Sequence, residues 1–192
     1  VEYARKQGKL ITYDPNLRKP LWRDLNDARV QIEWGLSKAD IVKISDDEVD
    51  FLWGIDPQSA CEKILGDFGA RLVFVTCGAD GCLYQNRNAS GKIPALSGIK
   101  VIDTTGAGDI FGGSALWKIL QTGKAPDELN NDELTDIVRF ACTAAGLSAT
   151  KPGGISSVPT MEEVAKMLKQ ADLDAKAKVS ESETMQLARQ RS

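Results

Sequence analysis

Histidine is absent from the 192 residues. That removes Ser-His-Asp and Cys-His catalysis and every imidazole metal site, so proton transfer must fall to a carboxylate, Lys, Tyr or Cys. No apolar run reaches 18 residues, and nothing in the sequence reads as a membrane-spanning helix. Long basic runs are missing too, and the net charge is −3, which argues against nucleic acid and anionic membrane as partners. The four cysteines, Cys61, Cys77, Cys82 and Cys142, lack C-x-x-C spacing and read as buried reduced thiols of a cytoplasmic protein. Cys77 and Cys82 flank a tight turn, which leaves a disulfide between them as the alternative. The chain does not open with Met, and residues 1–6 lack the apolar core of a signal peptide. They read as the end of an amphipathic helix, so the chain is expected to begin in mid-fold. What is present is ordinary: 42% hydrophobic and 27% charged residues, enough for one domain with a real core.

Short apolar runs alternate with helical periodicity. Strands are expected over 9–13, 40–44 and 71–76, the last apolar enough for burial on both faces. A helix is expected over 24–38, where Leu25, Ala28, Ile32 and Leu36 recur at helical spacing. Two short helices, 46–53 and 57–68, are separated by Gly54, and the second opens with Pro57. The turn at residues 77–81 predicts an antiparallel return over 82–85. Further short strands are expected near Ile93 and over 99–102, then helices over 107–121, 132–149 and near 160–170. Strands separated by helices predict an α/β fold with a mainly parallel sheet and an antiparallel hairpin at one side. Residues 171–192 are polar, with few large apolar groups, and read as a frayed helix or disordered tail. The tryptophans at 22, 34, 53 and 117 read as packing residues, with Trp22 the one candidate for a sugar contact.

The most informative stretch is Asp103-Thr104-Thr105-Gly106-Ala107-Gly108-Asp109, running into an apolar helix. A Gly-Ala-Gly turn at a helix start directs main-chain N–H groups at one point, where the helix dipole adds positive charge. Asp109 places a carboxylate beside that anion site, the combination that phosphoryl transfer to an alcohol requires. A lone Gly-x-Gly with a first-turn Asp is also ordinary helix-start chemistry. The full string, however, resembles the C-terminal signature of the ribokinase-like (PfkB) sugar kinases.

Other segments extend the resemblance. Asp14-Pro15-Asn16-Leu17-Arg18 lies at the end of an expected strand, where open α/β sheets bind ligands. Asp14, Asn16 and Arg18, at i, i+2 and i+4, could face one pocket, but spacing alone favours a plain turn. With Lys19-Pro20-Leu21-Trp22 the segment is similar to fructokinases of that family, which implies Asn16 near the sugar and Arg18 near the transferring phosphate. Ser45-Asp46-Asp47-Glu48 reads as a capping box, and it also aligns with the family's N-x-x-E. The resemblance implies that Glu48 helps to organise hydrated Mg²⁺, while Ser45 departs from the family's Asn. The run from Thr76 through Gly78 to Gly81 looks like the family's T-x-G-x-x-G nucleotide turn, and reads equally as a tight hairpin. The loop 148–157, a Pro-Gly helix end by itself, is implied to border the adenine. With the Asp103 and Thr105 region it is also implied to form a monovalent-cation site, for potassium, from carbonyl oxygens.

The resemblance therefore implies that residues 1–170 are the C-terminal portion of a ribokinase-like kinase domain, closest to fructokinase. The expected reaction is ATP-dependent phosphorylation of D-fructose to fructose 6-phosphate. Asp109 would be the base, with the N–H groups of Gly106, Ala107 and Gly108 and the Arg18 guanidinium holding phosphoryl charge. Thr76, Gly78, Gly81, Gly106 and Gly108 would meet the nucleotide. The family's Gly-Gly sugar motif and small β-sheet lid are not in these residues. The expectation is weak nucleotide binding by this chain, with turnover and homodimerisation through the lid reserved for a longer parent. Alternatives are a 2-keto-3-deoxygluconate, ribose or nucleoside kinase, or a non-catalytic nucleotide-binding fragment.

Overall fold

The computed structural model describes residues 1–173. The remainder of the expected tail, residues 174–192, lies outside the described residues. Five strands form one sheet in the order β1-β2-β3-β4-β5: β1 (Thr12–Tyr13), β2 (Ile41–Ser45), β3 (Leu72–Thr76), β4 (Cys82–Asn86) and β5 (Ser90–Ile93). β1, β2 and β3 run parallel, and β4 and β5 return antiparallel. The expected 9–13 strand is reduced to two paired residues. The expected strand over 99–102 does not form; Val101 and Ile102 are more than half exposed and lie in extended, unpaired chain.

Helices cover both faces, as parallel strands require. On one side α2 (Leu25–Leu36), α3 (Asp46–Trp53) and α4 (Pro57–Asp67) pack on Val42, Ile44, Val73 and Val75. On the other, α5 (Ala107–Thr122) and α6 (Asn131–Ser148) pack on Ile41, Leu72 and Phe74. Alternation along β2 and β3 therefore feeds two cores, which is why both strands read as continuous apolar runs. A final helix, α7 (residues 161–173), reaches α6 through Val164 against Phe140 and Ala144. The opening helix, α1 (Glu2–Lys6), buries none of its residues.

The boundaries follow local chemistry. Asp24, Asp56 and Asn130 cap α2, α4 and α6 by accepting first-turn N–H groups. Gly54 and Gly123 end α3 and α5 in the left-handed region. All four cysteines are buried and free, so the Cys77–Cys82 disulfide does not form. Burial pushes the Cys61 and Cys142 thiols up to about 12. Trp53 does pack, against Phe68, and donates its indole N–H to Glu33. Trp117 packs against Phe140 while remaining 42% exposed, and Trp34, 52% exposed, lies under the Lys38 ammonium. No helix among the described residues is long and apolar enough to cross a membrane.

Candidate functional site

Gly106 stands at the N-cap of α5 with φ +78°. That conformation disfavours any side chain, and a Cβ there would lie 3.2 Å from the Gly154 Cα. Two loops thus close on one another at the helix start. Asp103 ties them: the Thr105 N–H donates to its Oδ1 (2.9 Å) and the Gly153 N–H to its Oδ2 (2.8 Å). The Thr105 hydroxyl, together with those two amides, holds the Asp103 carboxyl down at about 2. Both oxygens therefore accept main-chain donors, and Asp103 fixes the two loops to one another.

The amides of the turn divide. The Ala107 N–H donates to the Thr104 carbonyl (3.1 Å), so it is not available as expected. The N–H groups of Gly106, Gly108 and Asp109 find no protein acceptor among the described residues. Asp109 is exposed in the first turn of α5. The cradle borders two cavities. One, about 490 Å³, is lined by Ala107, Gly108 and Phe111 together with Thr76, Gly78 and Gly81. The other, about 390 Å³, is lined by Gly106, Asp109 and Gly113 against Gly154, Ile155 and Val158. Thr76, Gly78 and Gly81, distant in sequence from the Gly-Ala-Gly turn, thus share a wall with it.

Gly81 has φ +90°, and a Cβ there would sit 2.0 Å from the Ile93 carbonyl oxygen. No larger residue fits without moving the β5 backbone. The opposite wall of the larger cavity comes from α6: Cys142, Ala145, Gly146 and Ala149. A Cβ on Gly146 would lie 2.7 Å from the Leu96 side chain, so its absence lets the 94–101 chain close over the helix. Sequence reasoning did not single out these α6 residues. Their signal was a small-residue stripe at helical spacing.

The Asp14–Arg18 segment is where the structure differs most from expectation. Asp14, Asn16 and Arg18 do not face one pocket. Asp14 turns inward and accepts from the Lys43 ammonium at 3.0 Å. Burial pushes its carboxyl up, against the lowering pull of that ammonium. Asn16 is exposed with φ +46°, and its N–H closes an Asx turn on Asp14 Oδ1. Arg18 is exposed, donates to the Leu17 carbonyl beside it, and lines neither cavity described above.

Glu48 is 7% exposed and fully engaged. The Leu17 N–H donates to its Oε1 (2.6 Å), while the Ser45 N–H and hydroxyl both donate to Oε2 (2.9 Å each). The capping box foreseen from Ser45 and Glu48 is present. The bond to Leu17 adds a task the sequence did not suggest: Glu48 latches the 14–18 turn to the start of α3. With its oxygens held by protein donors, Glu48 is not placed as a direct ligand of Mg²⁺; the expectation was a role through water. No group of three or more acidic or cysteine side chains arranged for a metal occurs among the described residues.

Residues 1–161 match the sequence profile described as pfkB family carbohydrate kinase. Fructokinase-2 of Solanum lycopersicum is 37% identical over 172 residues, which cover 88% of this chain and 51% of that protein. The chain spans about half the length of the first curated relatives it matches. Among solved structures, fructokinase with bound ATP from Xylella fastidiosa matches with a TM-score of 0.79 at 26% identity, covering 89% of this chain and 55% of that one. Aminoimidazole riboside kinase from Salmonella enterica, complexed with aminoimidazole riboside and an ATP analogue, matches at 0.74 and 26%, covering 87% and 55%.

Proposed function

Because the chain belongs to the pfkB family of carbohydrate kinases, we propose that it is the nucleotide- and phosphate-handling portion of an ATP-dependent sugar kinase that phosphorylates D-fructose. In the proposed reaction a primary hydroxyl oxygen of the sugar attacks the γ-phosphorus. The bond from that phosphorus to the β–γ bridging oxygen breaks, ADP leaves, and Asp109 takes the hydroxyl proton. The amides of Gly106 and Gly108 would hold charge on the transferring group, as preorganised donors do without reorganising. Ala107 contributes backbone geometry rather than its N–H.

The observation that carries this reading is the exposed Asp109 carboxylate beside unpartnered amides, between two cavities, one of which gathers Thr76, Gly78 and Gly81. The nucleotide is assigned to the larger cavity, whose small α6 residues leave room for a flat base, and the 148–157 loop borders it at Ala149. A divalent ion would arrive on the nucleotide's phosphates with its own waters, since no cluster of acidic side chains among the described residues offers it a cage. A monovalent cation such as potassium would have to be held by carbonyl oxygens near Asp103, whose carboxylate is engaged. Arg18 would add charge only by swinging away from the Leu17 carbonyl. Asn16 is assigned to the sugar side of the site, in an exposed turn, and the family's homodimer is assigned to residues outside this chain.

Fructose is preferred over ribose or a nucleoside on the likeness to fructokinases at 37% identity over 88% of the chain. The test pairs binding with turnover. ATP titrated into the 192-residue chain should bind, and Asp109→Asn should bind it equally. ADP release is then assayed with D-fructose, ribose and 2-keto-3-deoxygluconate in the chain joined to its family's sugar-binding half. Asp109→Asn should cost at least ~10²-fold in turnover there. Near-normal turnover in that variant, or no ATP binding by the wild-type chain, refutes the proposal.

A further inference from the structure

Before its terminal Ser45, β2 carries apolar residues on both faces except at Lys43. Ile41, Val42 and Ile44 are buried, and Lys43 stands between them with a side chain only 13% exposed. It faces α5, in the company of Phe74, Gly112 and Leu116. Its ammonium lies so near Gly108 that a Cβ added there would be 3.0 Å from Nζ. Asp14 is the one acceptor of that ammonium among the described residues.

The start of α5 carries roughly +0.5 of an elementary charge. A full ammonium charge sits against it; Asp14 pairs with the ammonium, and the exposed Asp109 stands in the helix's first turn on the solvent side. Burying a cation at the positive end of a helix is unfavourable unless an anion completes the site. Asp109 lies on the adjoining stripe of α5, with Gly106 and Gly113, whereas Lys43 meets the stripe of Gly108, Gly112 and Leu116. The helix thus separates an exposed base from a sheltered cation, with the free amides between them.

We propose that Lys43, oriented by its ion pair with Asp14, is a further phosphate-binding residue of this site, holding the terminal phosphates of the nucleotide from beneath Gly108. This rests on the kinase reading above. It accounts for the buried Asp14–Lys43 pair, for a polar residue in a strand buried on both faces, and for glycine at 108, where a side chain would stand between ammonium and phosphate. Asp14 acts through Lys43 and is a positioning residue.

ATP and adenosine, titrated separately into the 192-residue chain by calorimetry, distinguish the outcomes. Lys43→Met should weaken ATP ~10- to 100-fold, the range for a lost charged hydrogen bond, and leave adenosine unchanged. Its ATP affinity should also depend less steeply on salt than the wild type's. Lys43→Met alone leaves Asp14 without its partner, so the double variant Lys43→Met, Asp14→Asn removes both charges and preserves shape. It should show the same selective loss of ATP with a native circular dichroism spectrum. A folded double variant that binds ATP as tightly as wild type overturns the Lys43 assignment and leaves the kinase reading standing. A wild-type chain that binds neither probe overturns both, and one that binds adenosine and ATP equally overturns Lys43 alone.

Discussion

Replacing Glu48 with Ala removes the acceptor for three donors: the Leu17 N–H, the Ser45 N–H and the Ser45 hydroxyl. The hydroxyl can rotate to another partner, but the two amides cannot. Each unsatisfied buried donor costs about 1–3 kcal/mol. Leu17 and Ser45 are only half-buried, so water partly compensates once the side chain is gone. The expected loss is roughly 2–4 kcal/mol, a large share of the 5–15 kcal/mol that holds a typical domain. Glu48→Gln keeps the shape and one acceptor oxygen, but presents an NH2 group either to Ser45 or to Leu17. It should fall between, at about 1–2 kcal/mol. Urea denaturation followed by far-UV circular dichroism, without nucleotide or metal, measures both. If Glu48 served only to orient water around a metal ion, neither variant would change stability under those conditions. An Ala variant within about 0.5 kcal/mol of wild type, the scatter of ordinary surface changes, would refute the latch.

Gly81→Ala should cost at least ~3 kcal/mol, or release the β4–β5 pairing, because its Cβ meets backbone atoms of Ile93 and Ala95. Gly78→Ala, with φ +51° and open space around it, should cost only about 1 kcal/mol; hydrogen exchange of the 82–93 amides and urea midpoints check the contrast, and equal costs would refute it. Asp103 has a depressed folded-state carboxyl, about 2 against an ordinary 3.8, so its stabilising contribution is present above pH ~4 and is lost as pH falls toward 2. The urea-midpoint difference between wild type and Asp103→Asn should therefore be full at pH 6 and shrink below pH 4. A difference unchanged down to pH 2.5 would contradict the assigned bonds.

Legibility along this chain tracked how local each interaction is. The capping box at Ser45 and Glu48 was readable because its partners are three residues apart. The Leu17–Glu48 bond, spanning 31 residues, left no trace in either segment. Residues 99–102 look like a strand by composition, yet they remain unpaired because Ile102 and Asp103 give their N–H groups to the Ala149 carbonyl instead. Asp14, Asn16 and Arg18 could by spacing have shared one pocket, though spacing itself favoured a turn. The Asx turn that Asp-Pro-Asn chemistry favours won, and Lys43 drew the Asp14 carboxylate the other way.

The amino-acid order alone determined the elements with short-range causes: the apolar strands β2 and β3, the capped helices, the left-handed glycines, and the amide turn with Asp109 at the head of α5. Tertiary structure alone decided which of those groups meet. It tied Asp103 to the Gly153 N–H and Glu48 to the Leu17 N–H, and brought Thr76, Gly78 and Gly81 to the wall of Ala107 and Gly108. It also set an ammonium from the middle of a strand under a helix start 65 positions later in the chain. The reason is physical: propensity and capping act within a turn or two, whereas hydrogen-bond satisfaction and charge balance depend on whichever groups packing brings within 3 Å.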